Sequence, residues 1–231
     1  MWLTVLGANY EREWVMEKSD SLRNQWASLG IAFNYQDSTQ YDPESAIISL
    51  VCSGEFPEYK KMMGLTLLWL GEYSKFVHVE RLKILTKSLS AFELAILGAL
   101  AKKCVKLGDF RWRTIERVVT KKNMGIEKFF AGDVNAVVRM RGIDEDFKCF
   151  GIHVTPVLPD DPKKVLAREV IIKKNIWVRN RLLFGSNVRA DVATLRTLKR
   201  AETGYAAAKI LGCSTNAAYR NWKDLEEAGW N

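Results

Sequence analysis

No run of apolar residues in this chain approaches the roughly 20 needed to span a bilayer. The longest, Met62–Leu70 and Ala95–Ala101, are short and flanked by charge. The amino-terminal Met-Trp-Leu-Thr-Val-Leu-Gly has no basic residues ahead of its apolar stretch, and Glu11 and Glu13 follow closely, which argues against a secretory signal. The four cysteines, Cys52, Cys104, Cys149 and Cys213, form no Cys-x-x-Cys pair, so free thiols in a reducing cytoplasm are expected. Histidine is nearly missing: His78 and His153 are the only two, and nothing near either in sequence completes a metal site or a catalytic triad. There is no Gly-rich phosphate loop ending in Gly-Lys-Ser/Thr and no His-Glu-x-x-His.

These gaps exclude most enzyme classes. Phe184-Gly185-Ser186 brings a nucleotidyltransferase to mind, but that chemistry needs two carboxylates spaced Asp-x-Asp about ten residues on to hold divalent ions. Residues 195–200 contain no acid, and Asp191 stands alone in the sequence. Asp144-Glu145-Asp146 reads as a solvated turn after Gly142 rather than a metal site. The expectation is a non-enzyme with no catalytic residue, no metal and no cofactor.

What the chain does have is positive charge in one place. Its net charge is +8, and residues 163–231 hold fourteen basic and six acidic residues, so the entire surplus lies in the last third. A localised field of that sign attracts a polyanion, and phosphate contacts supply much of the affinity of DNA-binding proteins. Three of the five prolines fall within Val154–Pro162, where the charge balance changes. Proline removes backbone donors and biases its predecessor away from helix. The expected organisation is a mainly α protein: a mostly helical domain over 1–153, a proline-rich linker at 154–162, and a basic domain over 163–231.

Helical signals dominate the first part. Asp42-Pro43-Glu44 supplies an N-cap, a proline at the first helical position and an early acid before Ile47, Leu50 and Val51. Pro57-Glu58 opens a second helix, with Met62, Leu65, Leu68 and Trp69 at helical spacing. Ser90 and Glu93 form a capping box before Leu94, Leu97 and Leu100. Short strands are expected between Ala131 and Val157. In the basic part, one helix is expected over Lys163–Asn180, a loop over Leu182–Ser186, and a helix over Asn187–Lys199 capped by Ser186.

Thr203–Gly229 carries the functional argument. Two helices crossing through a tight turn require a small residue at the crossing, a residue tolerant of positive φ in the turn, and an N-cap for the second helix. Ala208, Gly212 and Ser214 supply these in order, and Ala218, Trp222 and Leu225 form the inner face of the second helix. Its outer face carries Thr215, Asn216, Tyr219 and Arg220, with Lys223 a turn further. Asn pairs bidentately with adenine and Arg with guanine, while Thr and Tyr reach phosphates or thymine methyls. Arg189 is a further phosphate candidate, and Lys173, Lys174, Arg179 and Arg181 are expected to add basic support.

Leu182–Gly229 resembles the winged-helix, helix-turn-helix DNA-binding domains of bacterial transcriptional regulators. The match lies in Leu183-Phe184-Gly185-Ser186 ahead of the first helix, Ala208-Lys209-Ile210-Leu211-Gly212 in the second, and Asp224-Leu225-Glu226-Glu227-Ala228-Gly229 in the third. Asp42–Leu85 is similar to the amino-terminal region of proteins ending in such a domain, some resembling regulators encoded beside nucleotidyltransferase toxins. The resemblance implies a transcription-regulating or antitoxin-type cytoplasmic protein that binds duplex DNA as a homodimer. A β-hairpin wing follows Glu-Glu-Ala-Gly in the family, whereas this sequence stops at Asn231, so the wing is expected to be absent or reduced.

A second basic group, Arg111, Arg113, Arg117, Lys121 and Lys122, recurs partly at four-residue spacing and could extend the nucleic-acid footprint. The competing reading is a protein-interaction module whose terminal helical hairpin engages a toxin or complex subunit. A third is an RNA-binding component of a larger complex.

Overall fold

A computed structural model describes residues 20–33, 39–53, 59–122, 128–129 and 140–230. The chain is mainly helical. Helix α1 spans 20–28 and is followed by α2 (Pro43–Cys52), α3 (Tyr59–Tyr73), α4 (Val79–Leu85), α5 (Ala91–Lys106), α6 (Arg113–Lys122) and the short α7 (Glu145–Lys148). The basic part comprises α8 (Arg168–Lys174), α9 (Ile176–Phe184), α10 (Val188–Thr197), α11 (Gly204–Leu211) and α12 (Thr215–Glu227). Among the described residues the strands are two-residue segments, β1 (Lys128–Phe129) and β2 (Ile152–His153), paired in parallel. No helix among the described residues is long and apolar enough to cross a membrane.

Local chemistry starts the helices as expected. Asp42 caps α2 by accepting from the Ser45 amide, with Pro43 at the first helical position. Ser90 and Glu93 close a reciprocal capping box on α5. Pro57 and Glu58 lie outside the described residues, as do residues 131–139 of the stretch expected to form strands; over 140–157 that stretch holds the short helix α7 and the two-residue strand β2.

One hydrophobic cluster joins α1 through α7. It is anchored by Trp26, Trp69 and Trp112, with Phe147 and Phe150 over α5. Trp26 and Trp69 meet edge to face, and the Trp69 indole donates to the Leu29 carbonyl at 2.8 Å. Gly98 lets Phe150 and Val119 onto α5, since a Cβ there would lie 2.7 and 2.8 Å from their side chains. A second cluster, containing Trp177, Val192, Leu195, Ala207, Leu211, Ala218 and Leu225, holds α9 through α12 together. The two divide within α9, where Val178 belongs to the first and Trp177 to the second.

Several expectations are corrected. The single helix expected over Lys163–Asn180 is broken, because Asn175 is extended (φ −119°, ψ 114°). Its buried side chain donates to the Ser28 and Tyr41 carbonyls and accepts from the Val178 amide, ending α8 and capping α9. The loop expected over Leu182–Ser186 is mostly helix, since α9 runs to Phe184 and turns at Gly185 with φ +80°. Asn187, not Ser186, caps α10 by accepting from the Ala190 amide. Nor is Asp144-Glu145-Asp146 a solvated turn. Asp144 and Asp146 are buried, Asp144 accepts from the Val157 amide, and Lys103 reaches both carboxylates.

The proline-rich stretch lies along α3. A Cβ on Gly64 would come within 2.7 Å of the Leu158 carbonyl oxygen, and the Asp160 amide donates to the Gly64 carbonyl.

Candidate nucleic-acid interface

Each helix of the last three begins on a side-chain cap: Asn187 for α10, Thr203 for α11 and Ser214 for α12. The turn between α11 and α12 uses Gly212 at φ +66°, a left-handed conformation that side chains with a Cβ disfavour. The Cys213 amide reaches back to the Ala208 carbonyl, satisfying one of the orphan carbonyls at the end of α11. The Gly212 turn and the Ser214 cap agree with the sequence reading.

Ala208 is buried in the cluster shared with Ala218 and Leu225. A second small residue, Gly204, also lies against α12: an added Cβ there would sit 2.8 Å from the Tyr219 Cα and 3.1 Å from the Trp222 Cβ. Ala218 and Leu225 bury the inner face of α12, and Trp222 is half-buried under the Arg196 guanidinium, 4.9 Å from its ring. Trp230 closes the unit. Its amide donates to the Leu225 carbonyl, its indole donates to Thr197, and its ring meets Phe184 edge to face at 5.1 Å.

The opposite face of α12 is exposed. Thr215, Asn216, Tyr219, Arg220 and Lys223 all lie in solvent, and the Lys223 ammonium sits 5.5 Å over the Tyr219 ring. Ser214 is exposed too, but its hydroxyl is committed to capping. Arg189 is exposed on α10 and faces the far end of α12, with its guanidinium 3.5 Å from Asp224. Lys173 and Lys174 are exposed on α8, which belongs to the first cluster through Ile171 beneath Gly30, so they stand apart from the three terminal helices. Arg179 is exposed on α9.

Arg181 does not belong to the basic surface. Its side chain is fully buried between the two clusters, where it donates to Glu44, Asp191 and the Phe76 carbonyl. A guanidinium in that position cannot meet a phosphate. Asp191 does not stand alone either: His78 Nδ1 lies 2.7 Å from its second oxygen, and the His78 amide donates to Glu44. Arg81 adds bonds to Asp42 and Glu44. A buried charge costs several kcal/mol unless it is paired, and here three carboxylates and two guanidiniums compensate one another. Burial alone would raise the Asp191 carboxyl, but Arg181, the His78 bond and Arg81 outweigh it and hold it below the ordinary range. No sequence signal marked this junction, because its members come from three segments, 42–44, 78–81 and 181–191, that lie more than thirty residues from one another. Among the described residues no group of three His, Cys, Asp or Glu side chains is arranged to hold a metal ion.

Exposed apolar residues on α9 and α11 also went unread in the sequence. Tyr205, on the first turn of α11, is 68% exposed, Ile210 is exposed at the helix end, and Leu183 is exposed on α9. No protein-family model, curated protein or solved structure matches the chain.

Proposed function

We propose that this protein reads duplex DNA through α12, with α10 to α12 acting as a helix-turn-helix unit. The observation that carries the reading is the exposed row Thr215, Asn216, Tyr219, Arg220 and Lys223 on a helix whose other face is locked by Ala218 and Leu225. The first turns of such a helix enter the major groove, where Asn216 and Arg220 have the geometry to read base edges and Lys223 reaches a phosphate. Arg189 and Arg179 supply further positive charge. The role is that of a bacterial transcriptional regulator or antitoxin-type autoregulator, acting as a homodimer so that two recognition helices reach successive major grooves.

Selection of bound duplexes from a random pool, followed by titration across salt, tests this. Arg220→Ala should cost about 1–3 kcal/mol of discrimination at one base position, while Lys223→Ala weakens all duplexes evenly and lowers the salt slope by about 1. Binding of duplex no better than of an uncharged polymer at low salt would overturn the proposal.

A protein-interaction role is the second reading, favoured by the exposed Leu183, Tyr205, Ile210 and Tyr219. A stoichiometric partner whose footprint covers Thr215–Lys223 would support it over DNA.

A further inference from the structure

The basic group of α6 separates into members that are already neutralised and members that are not. Arg111 is spent: it pairs with Asp109 at 2.7 Å and donates to the Ser74 carbonyl. Arg113, Arg117 and Lys121 are all exposed, four residues apart on one face of α6, with Ile115 and Val119 buried on the other. No ion pair engages these three among the described residues. Glu116 is the one acid of the helix. The Arg113 guanidinium lies 4.7 Å from the ring centroid of Phe110, itself 61% exposed.

Helix α4 lies between this stripe and the proposed reading unit. Ile84 of α4 abuts the turn before α12, since a Cβ on Gly212 would lie 3.1 Å from its Cγ2. The same α4 packs directly against α6. Packed helices stand about 8–10 Å apart, which sets α6 roughly 20 Å from that turn. At about 3.4 Å per base pair along one strand, this corresponds to about six base pairs.

We propose that Arg113, Arg117 and Lys121 form a second contact to the sugar-phosphate backbone, flanking the segment of duplex engaged by α12. The inference rests on the reading of α12. The helical body is then part of the DNA-binding surface rather than a passive support. Three unpaired cations at one-turn spacing match a line of phosphates by charge, and carry no sequence information.

The test uses the full chain, a 6-base-pair duplex closed as a hairpin, too short to reach past α12 to α6, and a 30-base-pair duplex of mixed sequence, with binding measured from 50 to 200 mM salt. Two variants are compared with the wild type: Arg113→Ala/Arg117→Ala/Lys121→Ala and Arg220→Ala/Lys223→Ala. Because the three α6 side chains are exposed, their removal should leave the melting temperature unchanged. On the long duplex the α6 variant should show a salt slope shallower by about 2 to 3, with affinity lower by on the order of 10- to 100-fold. On the short duplex it should match the wild type. An unchanged slope on the long duplex overturns the proposal, and an equal loss on both lengths overturns the flanking placement. If the α12 variant binds both duplexes like the wild type while the α6 variant loses the long one, the α12 reading fails and the stripe stands as a contact in its own right. A wild type that binds neither duplex overturns both.

Discussion

Arg181 on α9 and Asp191 on α10 are ten residues apart and meet 2.7 Å from one another with both side chains fully buried. The same guanidinium reaches Glu44 of α2 at 2.7 Å, so one side chain ties the terminal helices to the helical body. A residue that looks like surface charge in the sequence is the pin between the two hydrophobic clusters.

Replacing that pin should be severe. Arg181→Met leaves Glu44 and Asp191 buried against an apolar side chain, and breaking a buried pair from one side costs about 3–5 kcal/mol. Arg181→Lys should lose much of this as well, because a single ammonium cannot bridge both carboxylates and the Phe76 carbonyl as the planar fork does. Urea unfolding followed by circular dichroism measures it. Arg179→Ala, at an exposed neighbouring position, should stay within about 0.5 kcal/mol of the wild type.

Acid should act through the same junction. Burial works to raise the Asp42 and Asp191 carboxyls, but Arg81 and Arg181 beside Asp42, and Arg181 with His78 beside Asp191, hold both below the ordinary value of 3.8. Folded carboxylates of this kind bind protons more weakly than unfolded ones. Their contribution is therefore full above pH 3.8 and is lost as pH falls through their folded values. Glu44 runs the other way: burial, reinforced by Asp42, raises it above 4.5, so its ionised form weighs against folding at neutral pH and is relieved on acidification. Thermal melts should thus hold nearly level down to about pH 4 and drop below it. Asp191→Asn should start less stable and show a shallower drop.

Gly204→Ala should separate α11 from α12. The added methyl would meet the Tyr219 backbone, 2.8 Å from its Cα, where no flexible side chain can yield. Overpacking of this kind costs about 1–3 kcal/mol. Differential scanning calorimetry should show a lower melting temperature. Gly204→Ala should also weaken duplex binding, because Tyr219 is displaced with the helix that carries it.

Thiol accessibility follows burial. Cys52 and Cys149 are exposed, whereas Cys104 is buried in the first cluster, and burial pushes its thiol far above the ordinary range. Maleimide labelling of the native protein followed by peptide mass mapping should modify Cys52 and Cys149 within minutes and leave Cys104 intact. In denaturant, Cys104 should label as well.

Helix ends and turns were legible in the residues that make them. Ser90 with Glu93, Asp42 with Pro43, Gly212 and Ser214 act within four residues of themselves, through bonds the local chain can form alone. The outward row Thr215–Lys223 followed from helical periodicity in the same way. Ser186 was a false cap because Asn187, one residue on, offers the same chemistry, and only packing chose between them. The break at Asn175 was invisible, since the bonds that cause it go to Ser28 and Tyr41, more than 130 residues away.

From its residues alone this chain is mainly helical, begins α2, α5 and α12 at identifiable caps, and concentrates its positive charge in the last third, because those properties depend on composition and on neighbours within one or two turns. Only the tertiary structure decided which of those charges face solvent. Arg220 and Arg181 are alike in type and in local setting, yet one lies free on α12 and the other is enclosed by Glu44 and Asp191. Desolvating a guanidinium is unfavourable unless carboxylates arrive with it, and they come from α2 and α10 only when the helices have packed.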